Sequence, residues 1–126
     1  TPLYSSAASD VYKRQLMQHL IEQLIIEITE MNHRFERVKA SEIDYDFYDV
    51  VQPYTKSIDS KLDDLKNYDK QIINMPYMTP TKFNLLISNI QSLSVECHFK
   101  RTSRKLFTEK IKSVQYDLKN ILTHHV

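Results

Sequence analysis

The most restrictive feature of this chain is that none of its 126 residues is glycine. An average protein would contain about 7% glycine. Glycine is the usual residue in tight hairpin turns and in phosphate-binding loops, because it adopts backbone conformations that other residues avoid. The chain therefore avoids hairpins of the Asn-Gly type. It also lacks the glycine-rich loops of nucleotide-binding proteins and the nucleophile elbow of many hydrolases.

The first fifteen residues resemble a translated sequencing adapter rather than part of a natural protein. The run SSAASDVYKRQ, from Ser5 to Gln15, resembles without mismatch the translation of a tagmentation adapter. Residues 1–4 resemble the end of the primer that precedes such an adapter. We therefore interpret residues 1–15 as a sequencing scar that is not part of the fold, which leaves residues 16–126 as the domain.

The charge balance of residues 16–126 limits the classes of partner. Removing the two cations and one acid of the scar from the 17 basic and 16 acidic residues leaves 15 of each. A neutral chain is a poor candidate for non-specific nucleic-acid binding. The single cysteine, Cys97, excludes an internal disulfide and fits a cytoplasmic location. No apolar run approaches the roughly 20 residues of a membrane span, so we expect no membrane association.

Apolar residues recur every three or four positions along four segments, which is the spacing of an amphipathic helix. The first helix is predicted over Leu16–Lys39. The second is predicted to begin at Asp44 as N-cap and to end before Pro76, with a kink or break caused by Pro53 near residues 49–53. The predicted inward-facing residues are Leu16, Leu20, Leu24, Ile28, Met31, Phe35 and Val38, then Phe47, Val50 or Val51, Tyr54, Ile58, Leu62, Leu65 and Ile72.

Two further helices complete the predicted fold. Thr79 and Pro80 are suited to the N-cap and first position of the third helix, and Thr102 or Ser103 to the N-cap of the fourth. Their predicted inward-facing residues are Phe83, Leu86, Ile87, Ile90, Leu93 and Cys97, then Phe107, Ile111, Val114, Leu118, Ile121 and Leu122. Short links favour antiparallel neighbours, so we predict an all-α, antiparallel four-helix bundle. The caps and prolines argue against the alternative, a long coiled coil.

A set of scattered positions suggests a family. They are Asp46–Tyr48, Val51–Pro53, Pro80, Asn89-Ile90, Ser94-Val95, Thr102-Ser103, Lys105, Phe107, Ser113–Tyr116 and Leu118. In these positions the chain resembles the YppE-like family of small bacterial proteins of unknown function. The resemblance implies a compact four-helix bundle from Gram-positive bacteria, with Leu16 or Met17 near the natural start. It implies no activity, because none is assigned to the family.

Glu30 and His33 form a Glu-x-x-His pair, a spacing that places two metal ligands on one inward face in di-iron bundles. Such a site needs a second pair and two further glutamates, and the sequence contains no second pair. The alternative is a solvated helix face beside the apolar stripe. We therefore predict no cofactor, and Glu30 and His33 are the candidates if a metal is bound.

The neighbouring Cys97 and His98 invite comparison with a thiol nucleophile and its base. Adjacent helical residues point about 100° apart, and no third orienting group is evident. A buried structural thiol explains Cys97 better. We find no catalytic motif, so an enzyme is not expected.

Four cations cluster before and at the start of the fourth helix, in a segment that we call the basic turn and that consists of Lys100, Arg101, Thr102, Ser103, Arg104 and Lys105. Exposed backbone N–H groups and these cations could bind an anion or an acidic partner. The alternative is a solvated turn that only aids solubility.

The basic turn leads to the functional hypothesis. We predict a non-enzymatic protein–protein interaction module that binds another protein through this turn and through exposed tyrosines. A helical bundle that binds a small ligand, anion or metal is the alternative. Homo-oligomerisation stays open, because acidic and basic ends on one neutral protein could drive self-association.

Overall fold

The computed structural model describes residues 2–123, with side chains described from residue 9 onward. Every regular element in this range is helical. The elements are α1 (Pro2–Ser41), a π-helical turn (Phe47–Val51), α2 (Gln52–Lys66), α3 (Asp69–Ile73), α4 (Pro80–Glu96) and α5 (Arg104–Thr123). The all-α prediction is confirmed. The last three residues of the predicted domain, 124–126, lie outside the described residues.

The four long helices form an antiparallel bundle in which α1 and α4 each pack against both α2 and α5. The backbone N–H of Tyr45 donates to the carbonyl of His98 at 3.1 Å, so the connections after α1 and after α4 lie at the same end. We call this end, formed by residues 42–51 and 97–105, the loop end. The direction of the chain therefore alternates, as predicted for four helices with short links. Within the described residues, no helix is long and apolar enough to cross a membrane.

The predicted apolar stripes form the core, with two exceptions. Phe35 of α1 and Phe107 of α5 stack with ring centroids 4.1 Å apart and are almost completely buried. The prediction for Leu16 is wrong, because its side chain is 40% exposed and Met17 is buried instead. Phe47 is also misplaced, since it is 49% exposed and Val51 takes the buried position. The phase of a helical stripe shifts at its ends, where a π-helical turn or a missing neighbour changes which residue faces inward.

The predicted boundaries of the first two helices differ from the structure. α1 begins at Pro2 rather than Leu16, while the interpretation of residues 1–15 as a scar stays a prediction. Asp46, not Asp44, is the N-cap of the second segment, where its carboxylate accepts the N–H of Asp49 at 2.7 Å. The expected irregularity near Pro53 is the π-helical turn, and Pro53 itself is the second residue of α2, where a missing N–H costs little.

The second predicted helix is also divided. α2 ends at Lys66, and α3 begins at Asp69 after Asn67 and Tyr68. Both parts keep their apolar residues in the core, because Leu65 and Ile72 are fully buried on either side of the break. α2 and α3 together therefore occupy the position of one helix of the four-helix bundle.

The caps of α4 and α5 show how the chain manages without glycine. The Thr79 hydroxyl accepts the N–H of Lys82 at 3.0 Å, which confirms the predicted start of α4. At α5 the cap is Ser103, whose hydroxyl accepts the N–H of Leu106 at 3.3 Å. Two turn positions have positive φ without glycine, Glu42 at 59° and Tyr77 at 68°. Left-handed backbone costs a residue with a Cβ about 1–2 kcal/mol.

Candidate functional site

A polar cluster of Glu30, Arg34 and His98 lies at the loop end, and its arginine and glutamate side chains are 21% and 34% exposed. His98 is completely buried, and the Nη1 group of Arg34 donates to its Nε2 at 2.9 Å. The Nε of the same arginine donates to the carboxylate of Glu30 at 3.0 Å. Because arginine can only donate, Nε2 of His98 must accept, and the imidazole is therefore neutral with its proton on Nδ1.

Two tyrosines enclose this cluster. The rings of Tyr45 and Tyr54 meet the imidazole of His98 edge-on, at centroid distances of 5.2 Å and 5.4 Å. The guanidinium of Arg34 lies over the Tyr54 ring, 4.1 Å from its centroid, a geometry that favours a cation–π interaction. Burial, followed by a hydrogen-bonded contact with Glu27, raises the pKa of the Tyr54 phenol. The neutral imidazole of His98 and the guanidinium of Arg34 are thus lined by two aromatic rings.

Burial favours the neutral forms of both Cys97 and His98. Burial, and after it the positive charge of Arg34, lower the pKa of His98 to about 4. Burial raises the pKa of the Cys97 thiol to about 12. The thiol sulfur lies 3.3 Å from Nδ1 of His98, but both side chains are fully buried. Cys97 is the buried thiol that the sequence predicted.

The candidate metal ligands are not joined by others. His33 is exposed, and Glu30 is ion-paired with Arg34. Among the described residues, no group of three or more histidine, cysteine, aspartate or glutamate side chains is close enough to hold a metal ion. The Glu-x-x-His spacing of Glu30 and His33 is therefore not extended into a metal site by the part of the chain that the structure describes.

The basic turn is fixed to the rest of the loop end. The backbone N–H of Lys100 donates to the carboxylate of Asp44 at 2.7 Å, and the ammonium of Lys39 donates to the Lys100 carbonyl at 2.6 Å. Arg104 forms an ion pair with Glu36 of α1 at 2.5 Å. The turn is thus held against α1 and the connection after it, and one of its four cations is neutralised.

The other charged groups of the basic turn remain available. Lys100, Arg101 and Lys105 are exposed and form no ion pair with the described residues. Arg101 lines a groove of about 590 Å³ between α4 and α5. The half-buried Thr102 also lines this groove, and its hydroxyl donates to the carbonyl of Glu96 at 2.7 Å.

The groove itself combines a neutralised floor with an apolar rim. On the floor, the ammonium of Lys110 donates to the carboxylate of Glu96 at 2.9 Å and to the hydroxyl of Ser92 at 3.0 Å. On the rim, Leu106 is 59% exposed. The carboxylate of Glu109 also lines the groove. The exposed Arg101 and Leu106 therefore line the same groove.

The connection after α1, residues 42–49, has the opposite charge, and we call it the acidic connection. Its four acids are Glu42, Asp44, Asp46 and Asp49. Its exposed apolar side chains are Ile43, Phe47 and Tyr48, with Ile43 and Tyr48 more than 70% exposed. It borders the basic turn directly through the hydrogen bond from Lys100 to Asp44.

Sequence reasoning identified the basic turn but missed Arg34 as the centre of the polar cluster. Arg34 and His98 are 64 positions apart, so no local pattern pairs them. The only local signal was the i,i+4 spacing of Glu30 and Arg34, which is typical of helical ion pairs. The pairing of the acidic connection with the basic turn likewise depends on two loops meeting at one end of the bundle.

Comparisons with known proteins agree with this architecture. Residues 21–125 match the model of DUF1798, a bacterial domain of unknown function. No curated protein matches the chain. A crystal structure of a DUF1798-family domain from Staphylococcus aureus is 56% identical, with a TM-score of 0.88 over 89% of this chain and 97% of that one.

Two more distant structures share the fold. Protein YppE from Bacillus subtilis is 19% identical, with a TM-score of 0.80 over 87% of this chain and 92% of its own. A protein of unknown function from Listeria innocua is also 19% identical, with a TM-score of 0.82 over 89% of this chain and 92% of its own. At this identity the likeness concerns the fold alone.

Proposed function

Since the chain belongs to the DUF1798 family of bacterial domains of unknown function, we propose a function from its own surface: it is a non-catalytic domain that binds another protein through the basic turn. Its place of action in this proposal is the cytoplasm, which suits a chain whose only cysteine is a free thiol. The partner surface is acidic and carries at least one apolar side chain.

One observation carries this proposal. Arg101 and Lys105 are exposed cations with no ion pair among the described residues, and the exposed Leu106 lines the same groove as Arg101. Arginine beside an exposed apolar side chain is typical of protein interfaces, where charged groups set the orientation and apolar groups supply affinity. Cations at a helix N-terminus also interact unfavourably with the helix dipole, so the presence of these cations is not explained by stabilisation of α5.

The polar cluster supports a non-catalytic role. A general base must reach a proton on a substrate, and a cysteine nucleophile must ionise. His98 and Cys97 are both inaccessible, and burial shifts their pKa values away from ionisation at neutral pH. The hydrogen bonds of the cluster instead join α1 to the two connections of the loop end, which carry the proposed binding surface.

A capture experiment with charge-reversed bait tests the proposal. The tagged chain would be incubated with a lysate of Staphylococcus aureus, because that bacterium carries a relative, and captured proteins would be identified by mass spectrometry. The bait variant is Arg101→Glu with Lys105→Glu. Arg104 is left unchanged, since its reversal would break the ion pair with Glu36.

The control bait carries Lys112→Glu and Lys119→Glu, two exposed lysines farther along α5. Its net charge equals that of the test bait. We expect a partner that binds wild type and control but not the test bait, while the helical circular dichroism of all three is the same. Equal capture by the test bait would contradict the proposal.

A further inference from the structure

We infer that the loop end is a self-association surface, on which two copies of the chain pack end to end around a two-fold axis. In this dimer the basic turn of each copy lies against the acidic connection of the other. The inference rests on the proposed function, because it names a second copy of the chain as the protein that the basic turn binds. It is carried by the charge and the apolar content of one surface.

The loop end has two halves of opposite charge. The acids Glu42 and Asp49 are exposed on one half, and Arg101 and Lys105 are exposed on the other. None of these four side chains forms an ion pair with the described residues. The halves adjoin, since the carboxylate of Asp44 accepts the backbone N–H of Lys100 rather than pairing with its ammonium. These four charges are therefore available to pair with charges of another molecule.

A two-fold axis lets the charges of both halves pair with opposite charges of a second copy. Rotation by 180° about an axis that is perpendicular to the bundle and runs along the boundary between the two halves places the acidic half of one copy over the basic half of the other. The same rotation produces the reciprocal contact, so the interface is isologous and closes at two copies. Opposite charges then meet at two places, whereas any arrangement that places equal halves together brings like charges into contact.

The same surface supplies the apolar centre that an interface needs. Phe47 and Tyr48 stack edge-to-face, with ring centroids 5.2 Å apart, and both are largely exposed. Ile43 is 72% exposed beside them. In the two-fold arrangement these side chains face the end of the groove at which Leu106 of the other copy is exposed. Exposed aromatic residues surrounded by charge are typical of interface centres.

A charge-swap experiment tests this arrangement. One variant, Glu42→Lys with Asp49→Lys, has a loop end that is basic on both halves. A second, Arg101→Glu with Lys105→Glu, is acidic on both halves. Asp44 and Asp46 are kept, because their carboxylates hold the backbone N–H groups of Lys100 and Asp49. Sedimentation equilibrium would measure the mass of each variant, of wild type and of the equimolar mixture.

The inference predicts that wild type dimerises and that each variant alone dimerises at least about tenfold more weakly, because like charges then face each other. The equimolar mixture should regain a dimer of mixed composition, since a fully acidic end meets a fully basic one. Raising the salt from about 0.05 M to about 0.5 M should weaken the wild-type dimer, because the paired charges are near solvent. The Lys112→Glu, Lys119→Glu control should dimerise like wild type.

Three results would overturn the inference: a monomeric wild type, variants that dimerise like wild type, or a mixture without a mixed dimer. Circular dichroism would show whether a reversed variant is folded. If one is not, it is replaced by a neutral variant, either Arg101→Gln with Lys105→Gln or Glu42→Gln with Asp49→Asn. Each neutral variant should dimerise more weakly than wild type. A monomeric wild type that still captures a different protein through Arg101 and Lys105 would remove the self-partner and leave the proposed function standing.

Discussion

The guanidinium of Arg34 donates a hydrogen bond to Nε2 of the buried His98, 2.9 Å away, and so joins α1 to the turn that follows α4. The backbone of His98 in turn accepts the N–H of Tyr45 in the acidic connection. Arg34 therefore holds together the two connections whose surfaces carry the proposed interface. We propose that this cluster has a structural role and that a partner binds at the exposed charges of the loop end.

Replacing Arg34 by alanine should destabilise the fold by about 2–3 kcal/mol, because His98 would keep a buried acceptor without its donor and the Tyr54 ring would lose its cation. The matched control is Arg37→Ala, since Arg37 is exposed on the same helix. We expect the control to change the free energy of unfolding by less than about 0.5 kcal/mol. Urea unfolding followed by circular dichroism measures both, and equal effects would show that the Arg34–His98 contact contributes little.

Burial lowers the pKa of His98 to about 4, whereas an unfolded histidine titrates near 6.5. The unfolded chain therefore binds a proton between these pH values that the folded chain does not bind, and the stability that His98 contributes is lost as the pH falls through this window. At 1.36 kcal/mol per pKa unit, the loss is at most about 3 kcal/mol. His98→Gln cannot take up this proton, so its stability deficit relative to wild type should be largest near pH 7.5 and narrow toward pH 4.5. Urea unfolding at several pH values tests this, and a constant deficit would argue against a buried neutral imidazole.

Cys97 should be unreactive in the folded protein, because its thiol is fully buried and its pKa is raised to about 12. The thiolate is the reactive form, so a thiol reagent such as iodoacetamide should modify only the unfolded chain. The labelling rate should therefore rise with urea in parallel with the unfolded fraction. Rapid labelling in native buffer, at the rate of a free thiol, would show that the cluster opens without global unfolding.

Glu42→Gly should stabilise the protein, although glycine usually destabilises helical proteins. Glu42 has a φ of 59°, a conformation that glycine adopts without the cost that a Cβ imposes. The expected gain is up to about 1 kcal/mol after the greater flexibility of glycine in the unfolded chain is subtracted. Lys112→Gly, in the exposed interior of α5, is the control and should cost about 1 kcal/mol. A loss of stability at both positions in thermal unfolding would contradict the strain at Glu42.

Most of the core could be predicted from the sequence because helical periodicity is local. The stripes from Leu20 to Val38 and from Phe83 to Leu93 are buried as predicted, and Thr79 caps α4. Local patterns also located the basic turn. These patterns predicted where the second helix is irregular, near Pro53, but they did not predict a π-helical turn. Over a single turn, a π-helix has no distinct spacing of apolar residues.

What could not be predicted depends on contacts between distant segments. The break between Lys66 and Asp69 and the bond between Arg34 and His98 follow from how helices pack, not from the residues beside them. The same is true of the meeting of Asp44 with Lys100, 56 positions apart. The sequence showed acidic and basic segments, and only the fold placed them at one end of the bundle.

The most direct test of protein binding at the basic turn is crosslinking from position 106 in a bacterial cell. Leu106 would be replaced by the photoreactive residue p-benzoylphenylalanine, and Ile26, which is 66% exposed on α1, would carry the same probe as a control. We expect a crosslinked protein from position 106 that is absent from position 26 and is lost when Arg101→Glu and Lys105→Glu are added. A crosslinked peptide from residues 42–49 would identify a second copy as the partner. No crosslink from position 106, or one that survives the charge reversal, would contradict protein binding at the basic turn.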